Sequence, residues 1–171
     1  MARGLLAGLL LALVLGVCGA YFFVISGRMP ANADGKPFPL EIWAAHRSLN
    51  ATLAREAPAG PNPVPLSDEN LLAGLKTYEK DCMVCHGSAA GTASDIAIGL
   101  YQQAPQLAKD GVEDDPDGKI YWKVEHGIRL TGMPSFGKAL GETRIWQVTL
   151  FLKHMDSLTP LVQKVWKEAK Q

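Results

Sequence analysis

The sequence predicts an all-α protein: a helical domain at residues 67–171, joined through a linker at 29–66 to an N-terminal membrane helix within residues 1–28. Three observations predict it. No segment alternates apolar and polar residues strongly enough for a strand. Leu5 to Ile25 is a run of 21 residues without a charge. From Ser67 on, apolar residues recur at helical spacing in successive segments. The chain has 171 residues with 17 basic and 17 acidic side chains. That length suits one domain plus extras, and the balanced charge implies no nucleic-acid partner.

At about 1.5 Å rise per residue, the apolar run covers a hydrocarbon core of about 30 Å. Arg3 precedes it and Arg28 follows it, so charge alone does not orient it. A cleaved secretory signal is the rival reading, because Ala31-Asn32-Ala33 resembles an A-x-A cleavage site. The apolar region of such a signal is typically about 7–15 residues, so the run reads as a retained single-pass anchor. Cys18 within it reads as a small packing residue. The Leu15-Gly16-Val17 before it ends in a branched residue where a lipoprotein signal would place a small one.

The linker has two parts. In Leu40 to Glu56, the residues Ile42, Trp43, Leu49 and Leu53 form a partial helical stripe. This predicts a short amphipathic helix lying on the membrane or a partner, or equally on its own domain. His46 reads as a residue of its polar face. Pro58, Pro61, Pro63 and Pro65 follow within eight residues, a run that favours extended polyproline II and a semi-rigid tether.

Ser67 is a good N-cap before Asp68 and Glu69, whose charges suit a first helical turn. Leu71, Leu75, Tyr78 and Cys82 then share one helical face. Gly74 lies on the adjoining face, where another helix could approach closely. This helix leads into Cys82-Met83-Val84-Cys85-His86. C-x-x-C-H is the attachment sequence of a c-type haem. Cysteines three apart on a helical turn project to one side and reach two vinyl groups, while the next residue presents its imidazole to iron. The adjoining histidine, with no second C-x-x-C in the chain, favours haem over redox thiols or half a zinc site. The reading is one covalent haem c held by Cys82, Cys85 and His86.

A second helix is expected from Asp115 as N-cap and Pro116 at the first helical position. It carries Ile120, Tyr121 and Val124 and stops at Gly127. A third should run from about Glu142 to Leu158, with Ile145, Val148, Leu152 and Met155 on one face and Trp146 and Phe151 beside it. Pro160 breaks it, and Leu161, Val165 and Trp166 suggest a short final helix.

In this order of features, Ser67 to Leu158 resembles the class I cytochrome c family of small all-helical haem proteins. The resemblance rests on the first helix with Gly74 and Tyr78 leading into the haem motif, on Ala104-Pro105-Gln106-Leu107, on Gly132-Met133-Pro134, and on a C-terminal helix bearing Phe151. It implies that the Pro105 carbonyl receives the second ring N–H of His86, that the Met133 loop supplies the sixth iron ligand, and that the last helix crosses the first. The loop from Gly87 to Gly111 and the acidic Glu113 to Asp117 depart from the mitochondrial-type pattern, and the anchor and tether lie outside the family core.

Haem iron in an electron carrier should be six-coordinate, because full ligation blocks chemistry at the metal. The candidates are Met83, His126, Met133 and Met155. Met83 is held between the cysteines, and Met155 falls on an apolar helix face where core packing explains it. Met133 sits in a loop between Gly132 and Pro134, 47 residues after His86, enough chain to pass round a ring edge. Met133 is the reading and His126 the alternative. A thioether ligand favours Fe(II) relative to a second imidazole and implies a comparatively high potential. Arg129 and Trp122 read either as donors to the propionates or as a solvated arginine and a core tryptophan.

Three function classes follow: a membrane-tethered electron carrier between redox protein partners, a fixed cytochrome subunit of a larger membrane oxidoreductase, and a haem catalyst or gas sensor. Met133 argues against the third, which needs an open coordination position. No small-molecule substrate is expected. Because c-type haem is attached outside the cytoplasm, the domain is expected on the periplasmic side of the cell inner membrane. From Ser67 on there are 12 basic and 14 acidic residues, a balance too even to give the sign of a docking patch.

Overall fold

The computed structural model describes residues 2–169. Met1, Lys170 and Gln171, at the outer ends of the expected anchor and haem-domain segments, lie outside the described residues. The chain forms two compact units, divided between Gly35 and Lys36. The first is built on α1 (Ala2–Ile25), 24 residues with no buried side chain. At 1.5 Å per residue it is about 36 Å long, long and apolar enough to cross a membrane.

The second unit contains α2 (Pro39–Glu56), α3 (Asp68–Asp81), α4 (Met83–His86), α5 (Asp95–Ile98), α6 (Leu107–Asp110), α7 (Asp117–His126), α8 (Gly137–Leu140), α9 (Glu142–Lys153) and α10 (Pro160–Glu168). No strand occurs among the described residues. The expected N-cap is in place: the Asn70 backbone N–H donates to Ser67 Oγ at 3.3 Å. Leu71, Leu75 and Tyr78 of α3 are buried, as are Ile145, Val148, Phe151 and Leu152 of α9. Each such side chain stabilises the fold by roughly 1.5–3 kcal/mol on removal from water.

The two helices meet at Gly74, where an added Cβ would strike the Gln147 carbonyl oxygen and lie 2.9 Å from Phe151 Cβ. Tyr78, Phe151 and Trp166 close an aromatic triangle, each pair of ring centroids 5.5 Å apart. α10 is tied to the start of α3 by Thr159, whose hydroxyl donates to Asp68 Oδ1 at 2.7 Å.

Two helix boundaries differ from the sequence reading. α7 begins at Asp117 with Pro116 as its N-cap residue and no side-chain cap. Asp115 instead pairs with Lys123 at 2.8 Å, because a lysine in the second turn of the helix offers its carboxylate a charged partner. α9 ends at Lys153 rather than near Leu158. His154 leaves helical geometry there, and its Nδ1 lies 2.9 Å from the Leu150 carbonyl oxygen.

The proline-rich segment departs further from expectation. It lies on the domain instead of standing off it as a spacer. Leu53 of α2 is 3% exposed, and Gly118 abuts the Pro58 carbonyl so closely that no Cβ fits between them. The Asn62 backbone N–H donates to Asp117 Oδ2 at 2.8 Å, and its side-chain amide donates to the Trp146 carbonyl at 2.8 Å. A polyproline segment has no internal hydrogen bonds, so one asparagine able to reach a helix start and a helix carbonyl is enough to fix it. The N-terminal half of α2 keeps Leu40 and Trp43 exposed.

Candidate haem cleft

α3 aims the motif. Its C-cap is Cys82, and the short α4 continues through Cys85 to His86. The Tyr78 hydroxyl, one turn back, donates to the Gly87 carbonyl at 2.7 Å and lies 3.1 Å from the His86 carbonyl. Burial pushes the Tyr78 phenol well above its ordinary pKa, so it stays a donor. The residues that cap α3 and carry the motif are thereby one rigid piece.

Cys82, Cys85, His86, Pro105 and Met133 all line one cleft. Val124, Ile128, Phe136 and Leu100 give it apolar walls, and Asp81, Gln102, Gln103 and Thr131 add polar groups. The other ligand candidates lie elsewhere. Met83 is buried in the core and Met155 packs against it. The His126 and Trp122 rings are tilted at 49° with centroids 4.8 Å apart, and His126 Nε2 lies 3.2 Å from Glu125 Oε2. His126, Trp122 and the exposed Arg129 are not among the residues lining the cleft.

His86 Nδ1 lies 2.9 Å from the Pro105 carbonyl oxygen. A carbonyl can only accept, so this contact places the ring proton on Nδ1 and leaves Nε2 as the metal-binding nitrogen. Burial holds the His86 imidazole below its ordinary pKa, with the Pro105 carbonyl acting the other way. The ring is thus held neutral, the state that can ligate. Burial, followed by the nearby Asp81 and Cys85, pushes the Cys82 thiol up to about 12.

Met133 is presented by a loop folded back on the end of α7. The Ile128 N–H donates to the Met133 carbonyl at 3.1 Å, and the Met133 N–H donates to Thr131 Oγ1 at 3.1 Å. The Ser135 hydroxyl donates to the Glu125 carbonyl at 2.6 Å and the Phe136 N–H to the Val124 carbonyl at 3.1 Å. These bonds satisfy carbonyls that a helix end leaves free. Gly127 allows the fold-back: its φ is +68°, and a Cβ there would lie 2.7 Å from the Met133 carbonyl oxygen.

These residues fit a covalent haem: two thiols and a neutral imidazole with a free Nε2 share an apolar cleft with one thioether. Haem should therefore remain with the chain when the denatured protein is extracted with acidified organic solvent. Cys82→Ala and Cys85→Ala should each leave a single thioether, read by the shifted α-band of the reduced pyridine complex. Loss of haem from the unmodified chain would refute this.

Sequence reasoning singled out the five principal residues but not Gln106, whose side chain ties the Pro105 segment to the motif. Its position next to Pro105 was the available signal. Residues 69–152 match the protein family described as Cytochrome C oxidase, cbb3-type, subunit III. A stretch of 95 residues is 28% identical to a protein named GTPase Obg from Desulfatibacillum aliphaticivorans, covering 55% of this chain and 28% of that protein. The chain therefore spans less than a third of that relative's length. Gly132 to Lys138 has the glycine and lysine spacing of a phosphate-binding loop, but Ala139 stands where such a loop needs Ser or Thr. The segment also joins two helices rather than a strand to a helix, so nothing in it carries nucleotide binding over from that name.

Proposed function

We propose, on the premise that residues 69–152 belong to the class I c-type cytochromes, that this protein is a membrane-tethered carrier of single electrons with one haem ligated by His86 and Met133. Membership in that family implies covalently bound haem c and electron transfer. The observation that carries it is the delivery of Met133, on a loop pinned to α7, into the cleft that holds the His86 ring.

The haem iron, when bound, supplies the one-electron couple. Cys82 and Cys85 would hold the porphyrin covalently, His86 and Met133 would ligate the iron, and the apolar walls would exclude water from it. Such a site has no position for substrate, which supports outer-sphere transfer between redox proteins over catalysis or gas sensing. α1 serves as a single-pass anchor in the inner membrane, with the haem domain on the periplasmic side where c-type haem is attached. Between Ile25 and Pro39 lie 13 residues. At about 3.5 Å per residue they reach at most about 45 Å, a much shorter leash than one running on to Ser67.

A second reading, a fixed subunit of a membrane oxidoreductase, is supported by the exposed Leu40 and Trp43 on the domain-bound α2 and by the family description, which is of an oxidase subunit. The expressed protein should pellet with membranes, dissolve only in detergent, retain residues before Asp34 in its intact mass, and show one reversible one-electron wave. A soluble product beginning at Asp34 would refute the anchor. Recovery from native membranes in mild detergent separates the two readings: a carrier comes off alone, a subunit with its oxidoreductase.

A further inference from the structure

Gln106 connects two parts of the cleft that are 19 and more residues apart. Its side-chain Nε2 donates to the Cys85 carbonyl at 3.0 Å and to the Ala104 carbonyl at 3.1 Å. One acceptor belongs to the motif helix just before His86; the other belongs to the residue just before Pro105. Both hydrogens of the amide are thus used, one on each side of the contact between His86 Nδ1 and the Pro105 oxygen. The orientation of the amide follows from these partners. Turned over, its oxygen would face two carbonyl oxygens, which only accept.

Gln106 Oε1 is buried with no hydrogen-bond partner among the described residues, and it sits where a Cβ on Gly87 would come within 2.5 Å of it. Burying an acceptor without a donor is unfavourable. An apolar side chain of similar length would avoid that penalty, so the two donated bonds are what the glutamine contributes here. The backbone of Gln106 is fixed in turn, its N–H donating to Asp110 Oδ2 at 2.6 Å. Pro105 has no N–H with which to anchor itself.

We propose that Gln106 is a positioning residue that holds the Pro105 carbonyl against His86 Nδ1 and thereby lowers the reduction potential of the haem. A well-placed acceptor draws the Nδ1 proton and makes Nε2 the better donor, which stabilises Fe(III) over Fe(II). The proposal rests on the reading that His86 ligates iron. It predicts a sign opposite to that of general loosening. Releasing the carbonyl weakens the imidazole as a donor and raises the potential, whereas a merely structural defect admits water, favours the more charged ferric form and lowers it.

The test uses the full-length haem protein in detergent. Gln106→Met keeps the length and removes both donors; Gln106→Asn keeps the amide but shortens its reach. The midpoint potential should rise in Gln106→Met by the equivalent of about a tenfold change in the ferric-to-ferrous ratio, about 59 mV for one electron. Gln106→Asn should rise less. Exchange of the His86 Nδ1 proton with solvent, followed by NMR of the ferrous protein, should accelerate in the same order. If Gln106→Met does not accumulate, Gln106→Asn alone decides by the sign of its shift. An unchanged or lowered potential with unaltered proton exchange overturns the proposal. Failure of the ligand reading is separable, since the unmodified protein would then lack a low-spin spectrum and a protected Nδ1 proton before any substitution is made.

Discussion

Met133→Ala should lower the reduction potential by a hundred millivolts or more, on the scale of the roughly 0.8 V that axial ligation spans. It should also remove the weak near-infrared charge-transfer band of a thioether-ligated ferric haem and open the iron to carbon monoxide. The effect should stay local because the loop is held by its backbone. The bond from the Ile128 N–H to the Met133 carbonyl and the turn allowed by Gly127 do not depend on the methionine side chain. Met133→His should keep six-coordination and exclude carbon monoxide yet still lower the potential, because imidazole stabilises Fe(III) more than a thioether does. The pair of variants separates loss of ligation from change of ligand. Ready binding of carbon monoxide by the unmodified protein at neutral pH would defeat the closed-site reading and put a catalyst or sensor in place of an electron carrier.

What the sequence revealed, and what it hid, divides by the range of the interactions. The faces of α3 and α9 were legible because burial writes a 3.6-residue period into Leu71, Leu75 and Tyr78 and into Ile145, Val148 and Leu152. The attachment motif was legible because its chemistry needs adjacent residues. Pro105 and Met133 stood out only by the short patterns around them. The packing of the linker was not legible: Asn62 bonds Trp146, 84 positions away, and no local pattern marks such a partner. A run of prolines reads the same whether it stands in water or lies on a helix. Asp115 misled for a related reason. It has the composition of a cap, and a lysine eight residues on captured it. Gln106 is the sharpest case, since its two acceptors sit in separate segments and only the folded chain brings them together.

Gly74→Ala should destabilise the protein by about 3 kcal/mol or more, and Gly74→Val should prevent accumulation of the haem-bound form. Helix propensity alone predicts the reverse, because alanine is better than glycine inside a helix by about 1 kcal/mol. Packing decides the sign. The Cβ would overlap the Gln147 carbonyl oxygen and crowd Phe151 Cβ. The obstacle is thus helix backbone, which cannot swing aside as a long side chain can. To make room, α3 and α9 must separate along their whole contact, and the penalty exceeds the roughly 1–3 kcal/mol of ordinary overpacking relieved by side-chain shifts. Against a total of roughly 5–15 kcal/mol for a typical domain, that is a large fraction. Denaturant unfolding of the haem-loaded protein, with the α-band and tryptophan emission as paired probes, gives the number. Neutral or increased stability in Gly74→Ala would mean that the helices meet less closely than this crossing requires. A stability loss should also carry into the cleft, because α3 ends on Cys82. A shift of this helix moves one thioether relative to the Met133 loop, so the near-infrared band should weaken in Gly74→Ala well below the temperature at which the chain unfolds.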